Sequence, residues 1–501
     1  MFAFALSQVA GLTRQILVTS AFGTNPTMDA YNAANSFPTL IFALVAGGAL
    51  ASAFVPSFTS LLTKNERPSA WRLASSITNL VTLLLTVFSV LSAIFAPQIV
   101  HLLWPKYEQA TAIRLLRILL ITPAIFGVSG IASGVLNAYQ RFLLPALAST
   151  MYWLGIIVGL IFFVPSMGIY GLAWGAVLGS IMHLGIQLPA LFRLPARRYI
   201  PTLGLKDPSV REVGLLIGPR LIGVATVQLN FLVNTVIANF LPFGSLAAIS
   251  YAFPIMTMPL VVIGSAIGFA TLPTFSAQVA RGELNELRSS LTASLRGVLF
   301  LSIPATFGLI LLREPLIAAL FQHGHFTSLS TEMVSWALLW YTIGLVGHAT
   351  LEIIARAFYA LHDTKTPALV GAASMILNII LSILFAFWFN KIGWMPLGGL
   401  ALSASVAVFL ETGTLFILLR KRLKIIQGKE LAQGAGAALL GAFALSISLI
   451  FWLQAMRSRP ALLTTLGGVA LGGIVYGLTL VVLRVPEVHS LFQVVKRRLS
   501  R

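Results

Sequence analysis

Cysteine is absent from the 501 residues of this chain. Disulfides and thiolate metal sites are thereby excluded, and the redox compartment leaves no trace in the sequence. Charge is almost as scarce. Only 9% of residues are Asp, Glu, Lys or Arg, against roughly a quarter in soluble proteins, so a soluble two-domain enzyme of this length does not fit. Neither a GxxxxGK[ST] loop nor an HExxH helix occurs and the seven histidines are scattered, which argues against ATP hydrolysis and a zinc-protease site. No basic n-region precedes the first apolar run. That run begins at Phe2, contains Arg14 and leads into a second one, so it reads as a mature helix and not as a cleaved leader.

What is present is hydrophobicity, 57% of residues, in long runs from end to end. A lipid-exposed span must satisfy its backbone internally, so runs without strand alternation are read as helices. Fourteen spans are expected, starting near Phe2, Asp29, Trp71, Thr111, Leu144, Gly168, Val210, Ser245, Leu287, Thr331, Pro367, Pro396, Leu431 and Ala461 and ending near Arg484. With the N-terminus cytoplasmic, 22 of the 33 Lys and Arg fall in cytoplasmic loops and the basic tail, and five (Lys106, Arg313, Lys391, Arg457, Arg459) on the other side. That bias fits a multi-pass cytoplasmic-membrane protein with both termini inside. The net charge of +19 therefore reports topology. No stacking aromatics are interleaved with the basic residues, and no nucleic-acid partner is expected.

The chain also resembles itself. VAGGALASAFVPSFTS from Val45 aligns with VIGSAIGFATLPTFSA from Val262, pairing Gly47 with Gly264 and Pro56 with Pro273. LNAYQRFLLPAL from Leu136 aligns with FYALHDTKTPAL from Phe358, and GLAWGAVLGS from Gly171 with GLALSASVAV from Gly399, the offset growing from 217 to 222 to 228. Small insertions in two copies of one unit produce such a drift. The expected fold is an all-α polytopic membrane protein with two parallel six-helix repeats, an N-lobe (1–206) and a C-lobe (207–425), plus two extra helices and a basic tail (426–501). Matched halves around a cleft suit alternating access. A transporter is the default reading and a pore the alternative.

Charges inside spans are costly, about 2.5–3.5 kcal/mol at the helix centre on insertion scales, so they face cavities or partners. Arg14 either snorkels or pairs structurally, or faces the cleft and holds an anion, and the anion reading is favoured. Asp29 follows NPT and either caps the second helix or serves the site. Arg220, after Gly218 and Pro219, is an anion contact or a surface residue. Glu352 and Arg356 are four apart and can pair on one face. Glu411 has no evident sequence partner. Asn230, Asn234, Asn378, Ser382, Ser403 and Ser405 are neutral oxygen donors at helical spacing, suited to interhelical hydrogen bonds more than to a cation site. Gly175 with Gly179, and Gly130 with Gly134, have small-xxx-small packing spacing. The two histidines of FQHGHF lack a nearby carboxylate or thiol and make a weak metal signal. Cationic candidates outnumber acidic ones, so an anionic substrate fits better than an organic cation, and arginine binds a diphosphate bidentately.

GLTRQILVTSAFG, MDAYNAANSFP, GGALASAFVPSF, FQHGHFT and RAFYALHDTKTP together resemble the MurJ (MviN) family of lipid II flippases, in the multidrug, oligosaccharidyl-lipid and polysaccharide exporter superfamily. The resemblance implies a transporter and not an enzyme. It would carry undecaprenyl-diphosphate-linked peptidoglycan precursor from the inner to the outer leaflet, the headgroup in a cationic cavity and the prenyl tail in lipid beside the last two helices. It implies a functional arginine at Arg14 and an acidic residue at Asp29, with Arg220 at a position basic in some members. Membrane lipids and cell-wall synthesis enzymes are the implied partners. No cofactor is expected; membrane potential or a monovalent cation would supply the drive. The chain departs from the family pattern at Gln8, Phe42, Ala43, Gly47, Phe253 and Pro254, where charged residues are common. Acidic ligands of a proposed sodium site fall at Asn234 and Ser382, with Asn378 nearby. The substrate-binding candidates are thus Arg14, Asp29, Arg220, Arg356 and Glu352. Another polyprenyl-diphosphate glycan flippase, a cation-coupled multidrug antiporter and a scaffold remain the alternatives.

Overall fold

The computed structural model describes residues 2–45, 49–195, 197–423 and 428–485, and every regular element among them is helical. Gly47, Lys424 and the tail beyond 485 lie outside the described residues. Two compact units are formed.

The first unit holds residues 1–247 and the tetrapeptide 323–326. Its helices are α1 (Phe2–Phe22), α2 (Pro26–Val45), α3 (Ala49–Thr63), α4 (Arg67–Ile94), α5 (Ala96–Leu103), α6 (Gln109–Leu119), α7 (Thr122–Ala138), α8 (Leu143–Val158), α9 (Val164–Met167), α10 (Ile169–Gly185), α11 (Leu188–Phe192) and α12 (Pro208–Asn239). Proline sets several of the breaks. Pro123 opens α7 after the short gap behind α6, and Pro165 follows a π-helical turn at Gly159–Phe163, since a proline cannot donate into the ladder it interrupts.

The second unit contains the remainder of α13 (Ser245–Ala280), then α14 (Leu284–Phe321), α15 (Ser328–Ile343), α16 (Leu345–Ala360), α17 (Lys365–Lys391), α18 (Leu397–Leu423), α19 (Gly428–Ala455) and α20 (Ala461–Val482). The helix pair α15 and α16 is one run bent by 41°. The bend has a cause: the N–H of Gly344, at the break, donates to the Ser405 hydroxyl of α18 at 3.0 Å, so a side chain has entered the helical ladder.

Among the described residues, ten helices are long and apolar enough by length and composition to cross a membrane, or eleven with the bent pair counted as one. The chain is an all-helical, multi-pass membrane protein. The expected fourteen is not reached on that measure, although a helix stands at each of the other three expected positions, in α1, α2 and α12. The first two carry Arg14 and Asp29, and in α12 the side chains of residues 217–227 lie outside the described residues.

Local geometry repeats where the sequence does. Gln140 and His362, paired by the alignment, are both left-handed at φ 58°. Gly171 and Gly399 lie against paired backbones in the same way: an added Cβ would fall 2.5 Å from the Phe163 carbonyl carbon at the first and 2.5 Å from that of Phe385 at the second. Packing nevertheless groups α12, the first span of the second repeat, with the first unit, because it lies along α2 and α3.

Between apolar helices in lipid the hydrophobic effect contributes little, so close approach and hydrogen bonds hold the bundle. Gly175 and Gly179 of α10 serve this role: an added Cβ at Gly155 of α8, or at Gly159 of the π-helical turn after it, would come within 2.2 or 2.3 Å of the Cα of Gly179 or Gly175. Gly134 faces Phe54, whereas Gly130 meets open space. In the second unit, the Tyr476 hydroxyl of α20 donates to Phe300 O of α14 at 2.7 Å.

Candidate functional site

Asn25 ends the turn after α1 and caps α2, its side-chain oxygen accepting from Met28 N–H and the Thr27 hydroxyl, both at 2.8 Å. Asp29 is therefore not the cap of its own helix, as one sequence reading had it. Buried at 1% exposure, it accepts instead from Gly244 N–H at 2.5 Å and Ala247 N–H at 2.7 Å. It caps α13. The carboxylate meets the free N–H groups and the positive dipole end of a helix remote in sequence. The Asn-Pro pair ahead of α2 was the available signal for the local cap.

The same region is braced twice more. Trp104, fully buried, donates its indole N–H to Thr235 of α12 at 3.0 Å, and Lys106 N–H donates to the Asn239 side chain at 3.2 Å while its ammonium reaches Leu241 O. The tetrapeptide 323–326 closes on the end of α1. His325 N–H donates to Ser20 O at 2.8 Å, and an added Cβ at Gly23 would fall 2.5 Å from His325 O. The FQHGHF stretch is thus a packing element, and no group of three or more potential metal ligands occurs among the described residues.

Arg14 is half-buried on α1. Its guanidinium stands over the Trp153 ring of α8, 4.8 Å from the centroid, and donates to the Gln15 side chain. Gln8 is exposed and Ala43 buried. Phe42 packs on Phe126, with ring centroids 5.5 Å apart. Further along the same unit, Ser129 and the His183 ring share a hydrogen bond of 2.6 Å, and Gln187 joins Ser129 and Ser133 at 2.8 and 2.7 Å. Sequence reasoning passed over this cluster, although a histidine inside an apolar run is a signal in itself.

The second unit holds the other charged pair. Arg356 and Glu352 meet at 3.0 Å on α16, as their i,i+4 spacing predicts. Gly268 of α13 makes room for the arginine, since an added Cβ would fall 1.3 Å from its Nη1. Phe253 meets Tyr341 edge-on at 5.3 Å and Pro254 is exposed within α13. Glu411 lies against Gly371 of α17.

The neutral donors divide. Asn378 donates to Ser403 at 3.3 Å and Ser382 shares a 2.7 Å hydrogen bond with it, while Ser405 donates to Trp340 O at 2.6 Å. These join α17 and α15 to α18, the interhelical role expected of them. The side-chain oxygens of Asn230 and Asn234, one turn apart on α12, accept no hydrogen bond among the described residues. Asn234 belongs to the first unit and Asn378 and Ser382 to the second. The side chain of Arg220 lies outside the described residues.

A model of the lipid II flippase MurJ family matches residues 18–466, a stretch that begins just after Arg14 and includes the other candidates. The lipid II flippase MurJ of Burkholderia cenocepacia is 31% identical over 427 residues, 83% of this chain and 82% of its own length. A probable lipid II flippase MurJ of Vibrio cholerae is 28% identical over 429 residues, 82% of this chain and 80% of its own. A solved structure of a lipid II flippase MurJ in an inward closed conformation matches with a TM-score of 0.81 at 25% identity, over 95% of this chain and 97% of that one. An inward-facing multidrug resistance transporter of the MATE family matches with a TM-score of 0.69 at 16% identity, over 84% and 96%, a likeness of fold alone.

Proposed function

Because the chain belongs to the lipid II flippase MurJ family, we propose that it moves undecaprenyl-diphosphate-linked peptidoglycan precursor from the inner to the outer leaflet of the cytoplasmic membrane by alternating access. No bond is made or broken in this reading. Both termini are cytoplasmic, in keeping with the one-sided Lys and Arg distribution, and the repeats 1–206 and 207–425 are the two lobes of the transport cycle, followed by the extra segment 426–501. The observation that carries the reading is the family match along nearly all spans of an all-helical fold.

Arg14 is the headgroup contact in this proposal. Its amide and indole partners are neutral, so neither cancels the charge a diphosphate would meet. Arg356 and Arg220 are secondary contacts, and Glu352 tempers the former. The acidic side chains offer less to a cationic drug: Asp29 is engaged by backbone N–H groups and Glu352 by Arg356. That favours the flippase over an antiporter. Asp29 acts as a gate latch, holding the start of α13 to α2 in one state and releasing it in another. Membrane potential is a sufficient drive, one charge across 100 mV being worth about 2.3 kcal/mol.

Complementation tests the proposal. A strain depleted of its own lipid II flippase should grow normally when this chain is expressed, and should lyse when the Arg14→Ala variant is expressed at equal membrane levels. Failure of the unaltered, correctly inserted chain to rescue growth would point to another polyprenyl-diphosphate glycan. Ethidium efflux dependent on Glu352 would point to the antiporter.

A further inference from the structure

We propose that Trp153 is a positioning residue for Arg14, an assignment that rests on the reading of Arg14 as the headgroup contact. The guanidinium stands 4.8 Å from the centroid of the indole ring, on α8, which packs along α1. Gly11 precedes Arg14 by one turn on the same face of α1 and lies beside the ring. A Cβ built there would meet the indole Nε1 at 3.4 Å and Cε2 at 3.6 Å, ordinary van der Waals contact. The ring in turn is backed by others. Tyr152 lies 4.8 Å from it by centroids, and Phe126 of α7 packs edge-on against Tyr152 at 5.1 Å. Trp153 is thus flanked on α8 by Tyr152, which Phe126 of α7 backs in turn.

An arginine within a span needs a partner, and the choice of partner decides what the charge can still do. A carboxylate stabilises it by neutralising it, which would remove the attraction for an anionic diphosphate. An aromatic face attracts a cation through its quadrupole and carries no net charge. The Trp153 ring and the Gln15 amide together fix the direction of the guanidinium while leaving the positive charge uncancelled by either. These two contacts orient a cation whose task, in the proposed function, is to meet an anion.

The test uses the full chain purified in detergent and radiolabelled undecaprenyl diphosphate as the probe. Trp153→Leu should weaken binding about three- to tenfold, the range a partly desolvated cation–π contact supports. In an Arg14→Gln background the same substitution should add no further loss, because the two residues act as one. A Trp153→Leu variant that binds as tightly as the unaltered chain, or that weakens binding by the same factor in both backgrounds, overturns the assignment and leaves Trp153 as packing alone. Should Trp153→Leu fail to fold, judged by its thermal unfolding midpoint, Trp153→Tyr and Trp153→Phe replace it. Binding should then fall from Trp to the single-ring residues in step with the weaker ring quadrupole, and equal affinities overturn the assignment. If Arg14→Gln alone binds normally, the headgroup reading of Arg14 fails, a result distinct from an intact Arg14 effect with an inert Trp153.

Discussion

The carboxylate of Asp29 lies 2.7 Å from the backbone N–H of Ala247, across 218 residues of sequence. A buried acid thus terminates a helix to which it is joined by no local pattern. With Gly244 N–H as a second donor at 2.5 Å, the contact ties the first turn of α2 to the start of α13.

Asp29→Ala should strand both donors. A cap is worth about 0.5–2 kcal/mol and an unsatisfied buried donor about 1–3 kcal/mol, so a fall of several degrees in the thermal unfolding midpoint is expected in detergent. Asp29→Asn keeps one carbonyl acceptor and should lose less. An unchanged midpoint for the alanine variant would show that the cap contributes nothing to this state.

Gly268→Ala places a Cβ on the present position of the Arg356 guanidinium, 1.3 Å from Nη1. The arginine must leave, and its pairing with Glu352 must change. Transport should fall to the level of Arg356→Ala, and the double variant should be no worse than either single one. Additive losses would mean that the glycine serves something other than room for Arg356.

Sodium should be dispensable. Asn378 and Ser382 already bond to Ser403, and neither carries the negative charge that makes a cation site tight. Precursor translocation measured in sodium-free potassium buffer should equal that in sodium buffer. A several-fold stimulation by sodium would contradict the neutral hydrogen-bonded reading.

Asp363, in the loop ahead of α17, accepts from Thr366 N–H at 3.0 Å, the Thr366 hydroxyl at 2.8 Å and Arg422 at 2.5 Å. The Thr366 hydrogen bonds first, and Arg422 after them, hold its carboxyl below the usual carboxylate range. A carboxyl depressed in the folded state contributes stability above its unfolded pKa, about 3.9, and loses it as pH falls through the lower folded value. The stability gap between the unaltered chain and Asp363→Asn should therefore be constant near neutrality and close only in strong acid. A gap that widens on acidification would reverse the sign and refute the assignment.

Local pattern made part of this site readable in advance. Glu352 and Arg356 pair because four residues make one helical turn, and the 222-residue offset that pairs Gln140 with His362 ends in two turns of the same φ. The interhelical role of Ser403 and Ser405 followed from hydroxyls having few other partners in lipid. Of the two readings of Asp29, the capping one had the right chemistry and the wrong helix. Trp153 and Gly11 went unnoticed, since an indole and a glycine within apolar runs carry no sign of the cation they seat.

The sequence by itself determined the helical, multi-span class and the duplication. Both follow from hydropathy and self-similarity, which are one-dimensional quantities that bilayer thickness and backbone satisfaction convert directly into spans. Only the tertiary structure decided that α12 packs with the first unit, that Asp29 caps α13, and that Arg14 stands over the Trp153 ring. Such partnerships depend on which helix faces come together, and a run of apolar residues looks alike on every face until a neighbour makes one of them different.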